Sequence, residues 1–81
     1  METGYVLLVA TPGKKKLLLS KLRKVKGVIE IRLVIGTFDI VVKIKGETVT
    51  ELEKIYLNTI DKIPGVAQSR LCLVACPRTR K

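Results

Sequence analysis

Apolar positions along this chain switch between two periods, and the switches mark out its elements. Gly4 to Ala10 (GYVLLVA) is apolar without alternation, as in a central strand covered on both faces. Thr11-Pro12 then predicts an N-cap followed by proline at the first helical position, where a missing N–H does no harm. The helix that follows is expected from about Pro12 to Val25. Leu18, Leu22 and Val25 share one stripe with Leu17 and Leu19 at its margins, and Lys16, Ser20, Arg23 and Lys24 lie opposite.

From Val28 to Gly36 the pattern alternates. It predicts a strand with Ile29, Ile31, Leu33 and Ile35 on one face and Val28, Glu30, Arg32 and Val34 on the other. A tight Gly36-Thr37 connection leads into a second alternating strand, Phe38 to Lys45, so the two form a hairpin. Thr48-Val49-Thr50-Glu51 reads as a capping box opening a second helix, whose apolar stripe is Val49, Leu52, Tyr56, Thr59, Ile60 and Ile63. Pro64-Gly65 stops it. The last strand, Val66 to Cys76, is polar early and apolar from Leu71 to Ala75.

The layout occurs twice. Val25-Lys26-Gly27-Val28 and Ile63-Pro64-Gly65-Val66 each close a helix and open a strand, from position 25 to position 63 a shift of 38. A glycine just past the last turn takes the left-handed backbone that ends a helix. Two strand-helix-strand halves with right-handed crossovers assemble most simply as an α+β, ferredoxin-like βαββαβ domain. Its four-stranded antiparallel sheet has the order 4-1-3-2, with two helices on one face. The other face is left bare, and an apolar bare face is an interface.

At 81 residues and 47% hydrophobic, the chain is one globular domain with more Val, Ile and Leu than a lone small core absorbs, so self-association is expected. The domain is expected over 1–76, with 77–81 a basic tail. Met1-Glu2-Thr3-Gly4 lacks a basic leader region and no apolar run approaches a bilayer span, which predicts a cytoplasmic protein with no membrane association. Cys72 and Cys76 fall on one face of the last strand roughly 13 Å apart, too far to bridge each other, and are expected as buried structural thiols, with an intersubunit or redox role as the alternative. No histidine and no second cysteine pair means no zinc site is expected, and no cofactor.

The charge is strongly positive, 16 Lys and Arg against 7 Asp and Glu, a net of +9. Lys14, Lys15 and Lys16 sit in the expected first turn, against the helix dipole but beside free N–H groups. That arrangement suits either an anion site for phosphate or an acidic surface, or a lysine-rich solvated face.

The run from Tyr5 to Val74 resembles the effector (RAM) domain of the Lrp/AsnC, or feast/famine, transcriptional regulators. Its specific marks are the corner Gly36-Thr37-Phe38-Asp39-Ile40 and the helix end Ile63-Pro64-Gly65-Val66, followed by Ser69, where the family usually carries a hydroxyl. The resemblance implies a homodimer packed sheet against sheet, gathered into a tetramer of dimers, with a free amino acid in the cleft between dimers. It implies that the corner loop lines that cleft. Gly36, Thr37, Phe38, Asp39 and Ser69 are therefore the candidate ligand-binding residues: Asp39 is expected to accept from the ammonium, Ser69, and Thr37 if it faces inward, to donate to the carboxylate, and Phe38 to wall the pocket or anchor the corner. The first strand starts near Gly4, which leaves no space ahead of it for the family's helix-turn-helix. A stand-alone effector domain is expected, one that modulates full-length Lrp/AsnC-type regulators and has no sequence-specific DNA binding of its own.

Two departures stand beside the resemblance. Leu71 occupies a position where many members have a second hydroxyl, and the family's domains are commonly acidic or near neutral. Asp39 also has a plainer role open to it, bonding backbone amides in the bend. The alternative function is a basic ferredoxin-like nucleic-acid-binding module, but an RNA-reading sheet needs exposed aromatics on its central strands. Tyr5 and Phe38 are expected at strand starts and Tyr56 in the core. An ACT-type amino-acid-binding domain would share the ligand class but not the corner. An enzyme is not expected: histidine is absent, no arginine loop or Asn partner of the acylphosphatase kind is found, and Asp39 has no partner for acid-base work.

Overall fold

A computed structural model describes residues 2–73. In chain order these form β1 (Glu2–Ala10), α1 (Lys15–Leu22), β2 (Val28–Leu33), β3 (Ile40–Gly46), α2 (Val49–Asn58), a single 3-10 turn (Ile60–Lys62) and β4 (Val66–Leu73). The strands make one four-stranded sheet in the order β2-β3-β1-β4, antiparallel throughout. Read from the other edge this is 4-1-3-2, the ferredoxin-like arrangement. Cys76 and the expected basic tail 77–81 lie outside the described residues.

Cross-strand partners share a face, so the pairs Val6↔Val42 and Leu8↔Ile40 put these four side chains on the same side of the sheet. With Ile44 they meet Leu18 and Leu22 of α1, Leu52 of α2 and Ile60, all fully buried. Both helices therefore cover that one face. The intervening residues Thr3, Tyr5, Leu7 and Val9 of β1 point the other way and are only half-buried. The unbroken apolar run of β1 thus marks a strand whose second face has no cover within the chain.

The internal repeat is built into backbone geometry. Gly27 (φ 100°) and Gly65 (φ 105°) both adopt the left-handed conformation, and each carbonyl accepts a hydrogen bond from the opposite half. Lys45 N–H donates to Gly27 O at 2.9 Å, and Thr11 N–H donates to Gly65 O at 2.7 Å. A Cβ on Gly27 would stand 2.7 Å from Ile55 Cδ1, and one on Gly65 3.1 Å from Lys14 Cβ. Gly27→Ala is therefore expected to destabilise the domain by about 1–3 kcal/mol, from left-handed strain plus displacement of Ile55. Urea unfolding checks it, with Gly36→Ala, whose Cβ would meet open space, as the comparison for backbone strain alone.

Several expected boundaries move, each for a local reason. Thr11-Pro12-Gly13-Lys14 is a turn closed by Lys14 N–H donating to Thr11 O, with Gly13 at φ 83°, the geometry of a type II turn with proline and glycine at its centre. The helix consequently starts at Lys15 rather than Pro12, and Lys14 takes the N-cap position without a side-chain cap. At its far end α1 tightens into i to i+3 bonds, Lys24 to Lys21 and Val25 to Leu22, and stops at Leu22. Leu18 and Leu22 are buried as expected, while Leu17 is exposed.

In β2 the register shifts between Val28 and Glu30, so Val28 pairs with Ile44 and Ile31 with Val42. Ile29 is the extra residue of a bulge, and Val28 joins Ile31 on the core side against the expected alternation. The corner is wider than a two-residue turn: Val34 N–H donates to Asp39 O at 2.9 Å, leaving 35–38 as the loop and Ile35 fully exposed. The capping box of α2 is half as expected. Thr48 Oγ1 accepts from Glu51 N–H at 3.1 Å, but the Glu51 carboxylate accepts from Glu47 N–H rather than from Thr48.

Candidate functional site

Asp39 is held from three directions at the end of the bare sheet face. Its N–H donates to Leu8 O and its carbonyl accepts from Val34 N–H, both at 2.9 Å. Its Oδ2 accepts from Ala10 N–H at 3.1 Å. The carboxylate therefore fastens the β2–β3 corner to the end of β1, rather than bonding amides inside the bend. Among the described residues Oδ1 makes no hydrogen bond, so one oxygen of a fixed carboxylate is left to accept from a ligand. Gly36 and Thr37 are exposed, Phe38 and Asp39 half-buried, and nothing lies within 4 Å of the Gly36 Cβ position.

Ser69 is not brought to this corner within one chain. Ser69 and Ile40 both pair with Leu8, from opposite sides, so β1 separates β4 from the corner by two strand spacings, roughly 10 Å. Ser69 shares the helix-covered side with Leu8, where its Oγ donates to Asp61 Oδ1 at 2.5 Å and lies 2.8 Å from Tyr56 OH. A serine has one proton to give, so the Tyr56 hydroxyl is the donor in the second bond. This Tyr56-Ser69-Asp61 chain ties α2 and the 3-10 turn to β4, and the sequence reading missed it because Tyr56 fell on the apolar stripe. Lys14, Lys15 and Lys16 are exposed about the start of α1, with no acidic residue in its first turn.

The bare face is apolar at its centre and basic at its edge. Tyr5, Leu7, Val9 and Val41 lie half-buried across β1 and β3, and Lys43 Nζ stands over the Tyr5 ring, 6.0 Å from its centroid. Tyr5 is thus in mid-sheet, not at a strand start, because β1 begins at Glu2. It has no aromatic neighbour across β3, where Val41, Lys43 and Lys45 share its face. Cys72 pairs with Tyr5 and is exposed on that face, not buried, since the covering layer lies on the other side. Glu30 and Arg32 form an ion pair at the β2 edge. Among the described residues no cluster of three or more His, Cys, Asp or Glu could hold a metal, and no helix is long and apolar enough to cross a membrane.

Residues 4–76 match the family model of the Lrp/AsnC ligand-binding domain. The chain belongs to the Lrp/AsnC ligand-binding domain family. A relative in Pyrococcus furiosus, an uncharacterised helix-turn-helix-type transcriptional regulator, is 30% identical over 70 residues, covering 83% of this chain. The chain spans about half of that regulator, 47% of its length. Among solved structures, a hypothetical protein from Pyrococcus horikoshii superposes with a TM-score of 0.83 at 26% identity, covering 96% of this chain and 94% of that one. The L-Met complex of a Neisseria meningitidis transcriptional regulator gives a TM-score of 0.84 at 14% identity, covering 98% of this chain and 53% of the regulator, a likeness of fold. The family of this Lrp/AsnC domain is one of ligand-binding domains, and its sheet surface lacks the neighbouring exposed aromatics that a nucleic-acid-reading sheet needs.

Proposed function

We propose that this Lrp/AsnC domain binds a free amino acid at the Gly36-Thr37-Phe38-Asp39 corner, pairs through its bare sheet face with a second copy, and gathers such pairs into larger rings that modulate transcription regulators of its family. The observation that carries the reading is the Asp39 carboxylate, fixed through Oδ2 and open at Oδ1 beside an exposed loop whose glycine admits a ligand. A zwitterion needs an acceptor for its ammonium and donors for its carboxylate, and the corner offers Oδ1, the Thr37 hydroxyl and loop amides. Ser69 joins such a site only across a subunit seam, because within one chain β1 stands between it and Asp39. Lys14, Lys15 and Lys16 remain a solvated patch in this scheme, with no second group converging on them.

Thermal unfolding of wild type and Asp39→Asn, with each of the standard amino acids in turn, tests this. Asparagine keeps an acceptor for Ala10 N–H and removes the charge. A ligand at 100 times its Kd is expected to stabilise wild type by about 2.7 kcal/mol, and the variant by far less. Methionine, bound by the Neisseria regulator, is a natural first choice. Equal stabilisation of both proteins would remove Asp39 from the site, and no response to any amino acid would remove the ligand.

A further inference from the structure

A broad cleft lies away from the Asp39 corner. It opens on the helix side, about 1180 Å³ between the end of α1, α2 and the end of β3. Four lysines line it from three stretches of chain: Lys21 from α1, Lys24 and Lys26 from the turn after it, and Lys54 from α2, while the side chain of Lys45 in β3, also at its border, turns to the bare face. Among the described residues none of these ammonium groups has a carboxylate within salt-bridge reach, although Glu47 and Glu51 share the rim. Lys21 and Lys24 complement the carboxyl end of the α1 dipole, but Lys26 and Lys54 have no such local reason to be there. The floor is different in kind, formed by the half-buried apolar side chains of Val25, Ile55 and Ile63.

Unpaired cations that converge on one concavity, rather than running in a stripe, suit a compact polyanion more than an extended strand. An apolar floor suits a ligand with an apolar ring body, which inorganic phosphate lacks. The Glu47 and Glu51 carboxylates on the rim can accept from hydroxyl and amino groups, which a ribose and a base carry and a bare polyphosphate lacks. We propose that this cleft binds a nucleotide, its di- or triphosphate held by Lys24, Lys26 and Lys54 and its base against Val25, Ile55 and Ile63. The cleft lies on the opposite side of the sheet from the bare face, so pairing through that face leaves it open. The proposal does not depend on amino-acid binding at Asp39.

Calorimetric titration of the full chain with adenosine triphosphate at fixed ionic strength tests it, alongside amide chemical-shift mapping. Saturable binding with one ligand per chain is expected, with shifts concentrated at 24–27, 45–47 and 54–59. Combined Lys24→Ala, Lys26→Ala and Lys54→Ala is expected to weaken it by about tenfold or more, whereas combined Lys14→Ala, Lys15→Ala and Lys16→Ala leaves it within about twofold. The proposal is overturned by no saturation, by equal weakening in both variants, or by tripolyphosphate binding as tightly as the nucleotide. Tighter binding of a single-stranded oligonucleotide or an oligoglutamate to the same residues also overturns it. Shift mapping on wild type decides the location even where the triple variant unfolds.

Discussion

Leu52→Ala is expected to remove about 2–5 kcal/mol of folding stability, most of what a domain of this size has to lose. Leu52 is the one fully buried residue of α2, and its Cδ1 packs 3.5 Å from the Cβ position of Gly4 in β1. Gly4 has no side chain to move into the space, so truncation leaves a cavity against backbone. Nothing else replaces the contact, because Ile55 and Tyr56 are only partly buried and Val49 is exposed. Urea denaturation followed by circular dichroism measures the loss. Leu57→Ala, on the same helix but exposed, is expected to stay within about 0.5 kcal/mol of wild type. A small effect at Leu52 would mean that α2 does not anchor on β1 as described.

Leu7→Glu is expected to abolish the proposed pairing of two copies while leaving the fold intact. Leu7 lies on the bare face of the central strand β1, paired with Val41 on one side and Arg70 on the other. In a two-fold pairing of sheets the substitution enters the seam twice, and a charge buried at the centre of an interface typically costs about 2 kcal/mol or more per copy, so the dissociation constant rises by roughly a thousandfold. Sedimentation equilibrium reads this directly. Glu53→Lys, exposed on α2, changes more charge but lies on the helix side and is expected to leave association unchanged. A wild type that sediments as a monomer at dilute concentration would remove the second wall proposed for the amino-acid site.

The sequence made the topology legible because its strongest signals coincide: the apolar run of β1, the stripe of α1, the Thr48 cap, and two glycines with the same spacing to the strands that follow. It misled where two physical readings share one residue pattern. Thr11-Pro12 resembles a helix start, yet Gly13 behind it makes Pro12 the corner of a turn. The alternation from Val28 to Ile35 looks unbroken, but a bulge at Ile29 shifts register without altering composition. The Asp39 corner could be named from its motif, whereas the bond from Ala10 N–H could not, since it joins residues 29 positions apart. The lysine cleft was less visible still, because its charges come from α1, its exit turn and α2, and no periodicity links them.

The strand order carries one more consequence. β1 and β2 belong to the first strand-helix-strand half and β3 and β4 to the second, yet every ladder in the sheet joins one half to the other. Neither half contains a strand pair of its own. Proteolytic nicking at the protruding Ile35-Gly36 bend would thus yield two fragments that are each unable to hold a sheet alone, and that regain structure only by complementing one another.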